Sequence, residues 1–226
     1  MSERREIRAV LFDIDSTILV TGGAGGAAWQ RAFAELYDVE ANVAERTDAG
    51  MTDPEIAAIV FREAVGREGS AEERARAIGA YLKHLPDTVR ESDGYRLMPG
   101  IEALLDRLID AGLLLGLVTG NVEAAAHIKL SRAGLNRFFS CGGYGSDSSD
   151  RTEVTEAALR RAELVSGGTL APAACIAVGD TPRDVRAGHG AGIDVVGVAT
   201  GKYSIEELRE AGADWPLETV EAGFPV

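Results

Sequence analysis

Asp13 and Asp15 stand two residues apart in Asp13-Ile14-Asp15-Ser16-Thr17, directly after the apolar run Ala9-Val10-Leu11-Phe12. Carboxylates at that spacing can divide the work of a reaction, one attacking or binding a metal while the other moves protons. A second acidic pair lies far downstream. Asp180 and Asp184 sit in Gly179-Asp180-Thr181-Pro182-Arg183-Asp184, again after an apolar run, Cys175-Ile176-Ala177-Val178. Four residues apart in a turn that becomes helical, their side chains share one face. Between the pairs, Thr119-Gly120-Asn121 follows Gly116-Leu117-Val118 and opens a helix, so a hydroxyl and free backbone N–H groups there suit a tetrahedral oxyanion. A ligand set of oxygens with room for water favours Mg²⁺ over zinc, which would want His or Cys. His84, His127 and His189 are scattered and show no metal spacing.

Each group follows a short apolar run, which reads as a buried strand of a parallel sheet, and open α/β sheets bind ligands outside the carboxyl ends of their strands. From Pro99 onward the pattern alternates. A helix over 99–111, a strand over 113–118, a helix over 124–133, a short element opened by Arg137-Phe138-Phe139, a helix over 152–164, a strand over 175–178, a short helix after Pro182 and a strand over 195–198 follow in turn. Alternation on this scale implies right-handed βαβ units. The stretch between the first strand and Pro99 carries no strand. A helix runs through Trp29, Phe33 and Tyr37, another over 54–65 with Asp53 as N-cap and Pro54 as its first residue, and a third over 71–85. The fold class is therefore α/β, a Rossmann-like parallel sheet with helices on both faces. Residues 1–19 and 95–226 form the core and residues 20–94 an inserted helical cap, joined through the glycines from Gly22 to Gly26 and the turn from Ser92 to Gly94.

The chain has 226 residues and is 46% apolar, enough for a core of ordinary size plus a small insert. A formal charge of −13 argues against nucleic-acid binding, whose affinity comes from clustered Lys and Arg. No run approaches membrane-spanning length, and Asp13 and Asp15 interrupt the single candidate for a signal segment after Met1-Ser2-Glu3-Arg4-Arg5-Glu6. Two cysteines, Cys141 and Cys175, do not make a disulfide scaffold, and a cytoplasmic location is the natural expectation.

The order of these groups, an acidic pair, a Thr at a helix start, a basic residue and then Gly-Asp with another Asp, resembles the haloacid dehalogenase-like hydrolase superfamily. The resemblance is to its phosphoglycolate phosphatase-like branch, with an all-helical cap after the first strand, and it covers almost the whole chain. It implies a Mg²⁺-dependent phosphatase of a small phosphorylated metabolite, active as a monomer or homodimer. By the same resemblance Asp13 is the nucleophile and a metal ligand. Asp15 is general acid and then base, lending its backbone carbonyl to the metal. Thr119 holds the phosphoryl group with Asn121 and the Gly120 N–H nearby; Asp180 binds Mg²⁺ directly and Asp184 through water. The Gly22-Gly23 loop and the cap face select the substrate. A sugar-phosphate mutase of β-phosphoglucomutase type, or a non-catalytic phosphate or metal sensor, would share the same pocket.

Two positions depart from the family pattern. Ser16 stands where Gly is common in Asp-x-Asp-Gly-Thr, a change that costs little in a turn without positive φ. The usual motif lysine is missing, and Arg151, after Ser146-Asp147-Ser148-Ser149-Asp150, is the cation expected in its place. Lys129, within the helix that follows Thr119, is the substitute if Arg151 lies on the surface.

Overall fold

Ala9–Phe12 is apolar and buried at every position, and it forms an inner strand of a six-stranded sheet. The structure, a computed structural model, describes residues 6–226; residues 1–5, which hold most of the charged start of the chain, lie outside the described residues. The strands are β1 (Ala9–Phe12), β2 (Leu19–Thr21), β3 (Tyr95–Leu97), β4 (Leu114–Val118), β5 (Cys141–Gly143), β6 (Cys175–Gly179), β7 (Asp194–Val198) and β8 (Trp215–Leu217). The α-helices are α1 (Ala24–Tyr37), α2 (Val43–Arg46), α3 (Asp53–Val60), α4 (Ala71–Glu91), α5 (Ile101–Asp110), α6 (Glu123–Ser131), α7 (Arg151–Ser166), α8 (Pro182–Gly190) and α9 (Ile205–Glu210).

The large sheet has the order β5-β4-β1-β6-β7-β8 with every pairing parallel. Alternate residues of β1 feed two different apolar clusters. Val10 and Phe12 pack with Leu105 and Leu108 of α5 and Leu130 of α6, whereas Ala9 and Leu11 pack with Val154 and Ala158 of α7 and Val185 of α8. Helices thus cover both faces, which is why β1, β4 and β6 read as continuous apolar runs rather than as alternating ones. The winding reverses at β1, whose neighbours are β4 and β6, so a crevice opens at the carboxyl ends of these three strands.

Helices α1 to α4 are inserted between β2 and β3, which pair antiparallel from Leu19↔Leu97 to Thr21↔Tyr95 and bring the chain back beside its point of departure. The insert has its own core. Trp29 stacks on Tyr81 with centroids 4.3 Å apart, and Phe33 meets Phe61 edge-on at 5.3 Å, confirming the stripe read along the first cap helix. Val122 and Ala125, at the start of α6, belong to the same cluster, so apolar packing fastens the insert to the core.

Several local readings need correction. Helix α4 does not stop at Leu85 but continues through Pro86 to Glu91. The proline forfeits one helical hydrogen bond, and burial of Leu85, Thr88 and Val89 offsets the loss. Helix α3 ends at Val60, where the chain widens into a π-helical turn over Phe61–Val65. Thr52, not Asp53, is the N-cap of α3, in a capping box with Glu55. Ser16 has φ 63°, so the turn after Asp15 does require the left-handed conformation, and Ser16 carries the strain a glycine would not. Among the described residues no helix is long and apolar enough to cross a membrane.

Candidate active site

The floor of the crevice is built by the strand ends. Asp13 follows β1 with its N–H donating to the Val178 carbonyl at 2.9 Å, and Asp180 follows β6. Asp184 lies in the first turn of α8. Each of the three is buried, and they offer carboxylate oxygens within 4.8 Å of one another. Asp13 and Asp184 share a cation, Arg151 at the start of α7, itself buried, with Nη2 bonded to Asp184 Oδ1 and 3.6 Å from Asp13 Oδ1. Asp184 also accepts from the Thr181 N–H at 3.1 Å and the Thr181 hydroxyl at 2.7 Å, so its helix-capping and site contacts coexist.

One guanidinium does not neutralise this cluster. Burial, then the neighbouring Asp184, pushes Asp13 up to about 7, with Arg151 opposing; burial, then Asp184 and Asp13, pushes Asp180 up to about 9. An ensemble of oxygen donors that holds protons for want of positive charge is the donor set a hard divalent cation takes. The residues fit a divalent metal site.

Asp15 faces elsewhere. Lys129 Nζ lies 2.7 and 2.9 Å from its two carboxylate oxygens, and Asn121 Nδ2 donates to it at 2.8 Å. The same Asn121 nitrogen donates to Thr119 Oγ1 at 2.8 Å. Lys129 is buried, whereas the Asp15 side chain is 44% exposed and therefore open to a substrate. The first two carboxylates are thus separated: Asp13 with the cluster, Asp15 with a lysine and an amide.

A cavity of about 250 Å³ joins the two groups. Trp29, Ile56 and Tyr81 of the insert supply apolar wall, and Gly23 lies on the same wall. Asp13, Asp15, Thr119, Gly120, Asn121, Arg151 and Asp180 all line it, so the residues singled out in the sequence converge. Asp184 stands behind Arg151. Gly22 is the exception: it does not line the cavity but packs on Gly94, where a Cβ would meet the Gly94 backbone at 2.5 Å.

Two residues of the cavity, Lys129 and Asp53, make contacts other than those their sequence context suggests. Lys129 is not a substitute for Arg151; both cations are present, on different carboxylates. A lysine flanked by Ile128 and Leu130 on a helix leaving the Thr119 loop was the available signal. Asp53 was read as a cap, yet its carboxylate, freed by Thr52, accepts from the Val122 N–H at 2.8 Å; burial pushes it up to about 6 against the pull of Lys129.

The model of the haloacid dehalogenase-like hydrolase family matches residues 7–192. The chain belongs to the haloacid dehalogenase-like hydrolases. It is an enzyme of that family, a phosphatase acting on phosphoric monoesters. Among its relatives, a phosphoglycolate phosphatase of Synechococcus elongatus is 29% identical over 94% of this chain and 93% of its own length. A phosphoglycolate phosphatase of Rhodospirillum rubrum is 31% identical over 91% of this chain and 85% of its own. Among solved structures, CbbY from Rhodobacter sphaeroides in complex with phosphate shares the fold, with TM-score 0.72 and 23% identity over 93% of each chain.

Proposed function

We propose that this haloacid dehalogenase-like hydrolase is a Mg²⁺-dependent phosphatase of a small phosphorylated metabolite and works through an aspartyl-phosphate on Asp13. The observation that carries the reading is the separation of Asp13 from Asp15. Asp13, at the cation site and beside Arg151, is placed to attack phosphorus. Asp15, exposed to the cavity, is placed to give a proton to the departing alcohol and then take one from the attacking water. Thr119 and the Gly120 N–H receive the phosphoryl oxygens, and Arg151 offsets charge on the transferring group; its Nε and Nη1 are buried without a protein partner.

Asp13, Asp180 and the Asp15 carbonyl would hold Mg²⁺, with Asp184 behind them. Once bound, the ion supplies charge neutralisation that lets an anionic ester approach the carboxylates. Residues 20–94 act as the cap that closes the cavity, and its volume suits a metabolite of a few carbons. Phosphoglycolate, named for both relatives above, is the first compound to test. The enzymatic family sets aside the non-catalytic sensor reading. Burial pushes the free thiols Cys141 and Cys175 up to about 11, so neither is activated as a nucleophile.

A panel of phosphorylated metabolites, assayed for released phosphate with Mg²⁺ and again with chelator, tests the proposal. Turnover of at least one small monoester that stops on chelation is expected; undiminished turnover in metal-free protein overturns it.

A further inference from the structure

From its contacts on both sides of Asn121, we infer that Asp53 of the cap is a positioning residue that fixes Asn121, and through it Asp15 and Thr119. This inference rests on the proposed role of Asp15, but its geometry stands apart from it. The Asp53 N–H donates to the Gly120 carbonyl at 2.8 Å, and Asp53 Oδ2 accepts from the Val122 N–H at 2.8 Å. One cap residue therefore grips the backbone immediately before and after Asn121. From the core side, the Gly145 N–H donates to the Asn121 carbonyl at 2.8 Å. The side chain so placed is the one whose Nδ2 reaches both Asp15 Oδ2 and Thr119 Oγ1.

The surroundings make this clasp the strong contact between the segment and the core. Asp53 is 4% exposed, so these two bonds, and the one its carboxylate accepts from the Trp29 side chain, are shielded from water, and an unmade bond there leaves a buried donor unsatisfied. The neighbouring cap-to-core ion pairs, Glu55–Arg183 at 3.4 Å and Asp48–Lys202 at 3.5 Å, are partly or largely exposed and contribute little. Gly120 has no side chain where the segment lands: a Cβ there would collide with the Met51 carbonyl and lie 3.1 Å from Thr52 Cα. Thr52 and Glu55 close their own capping box, leaving the Asp53 carboxylate for Val122 alone among the backbone donors of the loop. Seating of the cap and placement of the proton-transferring carboxylate thus share one residue.

The test compares Asp53→Ala and Asp53→Asn, because the asparagine carbonyl can still accept from Val122 while the charge is gone. Amide hydrogen exchange by NMR reads the clasp without any activity. Protection of the Val122 amide should be lost in Asp53→Ala and kept in Asp53→Asn, with Val10 and Leu11 of β1 protected in both as a control for folding. On p-nitrophenyl phosphate with Mg²⁺, kcat of Asp53→Ala should fall roughly tenfold or more with KM changed less than about threefold, as for a misplaced group, and Asp53→Asn should recover most of it. If Asp53→Ala does not fold, Gly120→Ala, which lifts the segment from the core side, should show the same loss at Val122. Unchanged protection in Asp53→Ala overturns the clasp, and an Asp53→Asn enzyme as poor as Asp53→Ala overturns it in favour of a role for the charge. Absence of hydrolysis by the wild-type protein would instead defeat the phosphatase reading, and the exchange measurement would still decide on Asp53.

Discussion

Lys129 and Asp15 form a two-pronged ion pair, with Nζ 2.7 and 2.9 Å from the carboxylate oxygens, while Arg151 pairs with Asp13 and Asp184 instead. The two cations of the cavity therefore serve different carboxylates and are not interchangeable. Lys129→Met should lower kcat on alkyl phosphates by roughly 10- to 100-fold, the cost of a proton-transferring group held loosely. Steady-state kinetics check this, and a near-normal Lys129→Met enzyme would reduce the pair to a structural contact.

Arg151→Ala should lower kcat by roughly 100-fold or more, the scale of losing one electrostatic stabiliser. It should also lower the thermal midpoint of the metal-free protein, because Asp13 and Asp184 then face each other without a counter-charge. Arg151→Lys should recover part of both losses, since the charge survives and the planar fork does not. Kinetics and calorimetry on the two variants measure the effects together.

Metal and pH should act on stability in a linked way. Asp13 and Asp180 are held at about 7 and about 9, above the ordinary carboxylate value, so folding favours their protonated forms. Their contribution to the metal-free protein is complete below about pH 4 and is lost as pH rises through 7 and then 9. A bound cation requires the ionised carboxylates, so the midpoint gained on adding Mg²⁺ should grow from pH 5 to pH 9. Scanning calorimetry with chelator and with Mg²⁺ at each pH checks the sign; a gain that shrinks as pH rises contradicts it.

Ser16→Gly should stabilise the protein by about 0.5–1 kcal/mol, the relief of a left-handed residue less the extra chain entropy of glycine. The Ser16 backbone bonds, N–H to the Leu19 carbonyl at 2.7 Å and carbonyl from the Thr200 hydroxyl at 2.6 Å, are available to glycine as well. Urea unfolding of the two proteins measures the difference.

The parts of the site that follow a long apolar run were legible in the sequence. Asp13, Thr119 and Asp180 end strands of four or five buried residues, and strand ends on one edge of a parallel sheet must converge. Strands β2, β3, β5 and β8 are three residues each, too short to show a period, and so the paired base of the insert was not seen. The partners of Lys129 and Asp53 are not legible in the sequence for a different reason. Each reaches the cavity from a helix whose orientation is set by tertiary packing, Val122 and Ala125 against the cap cluster, and no local spacing encodes that docking. By sequence Gly22 is a candidate substrate contact because glycine marks both hinges and ligand loops; its positive φ and its packing on Gly94 serve the turn.

The most direct test of the account is to trap the phosphorylated enzyme. Wild-type protein mixed with Mg²⁺ and radiolabelled acetyl phosphate, then quenched rapidly in acid during turnover, should carry a hydroxylamine-labile label that maps to Asp13, and Asp13→Asn should carry no label and release no phosphate. Turnover by Asp13→Asn at the wild-type rate, or a label on any other residue, would contradict the assignment of Asp13 as nucleophile.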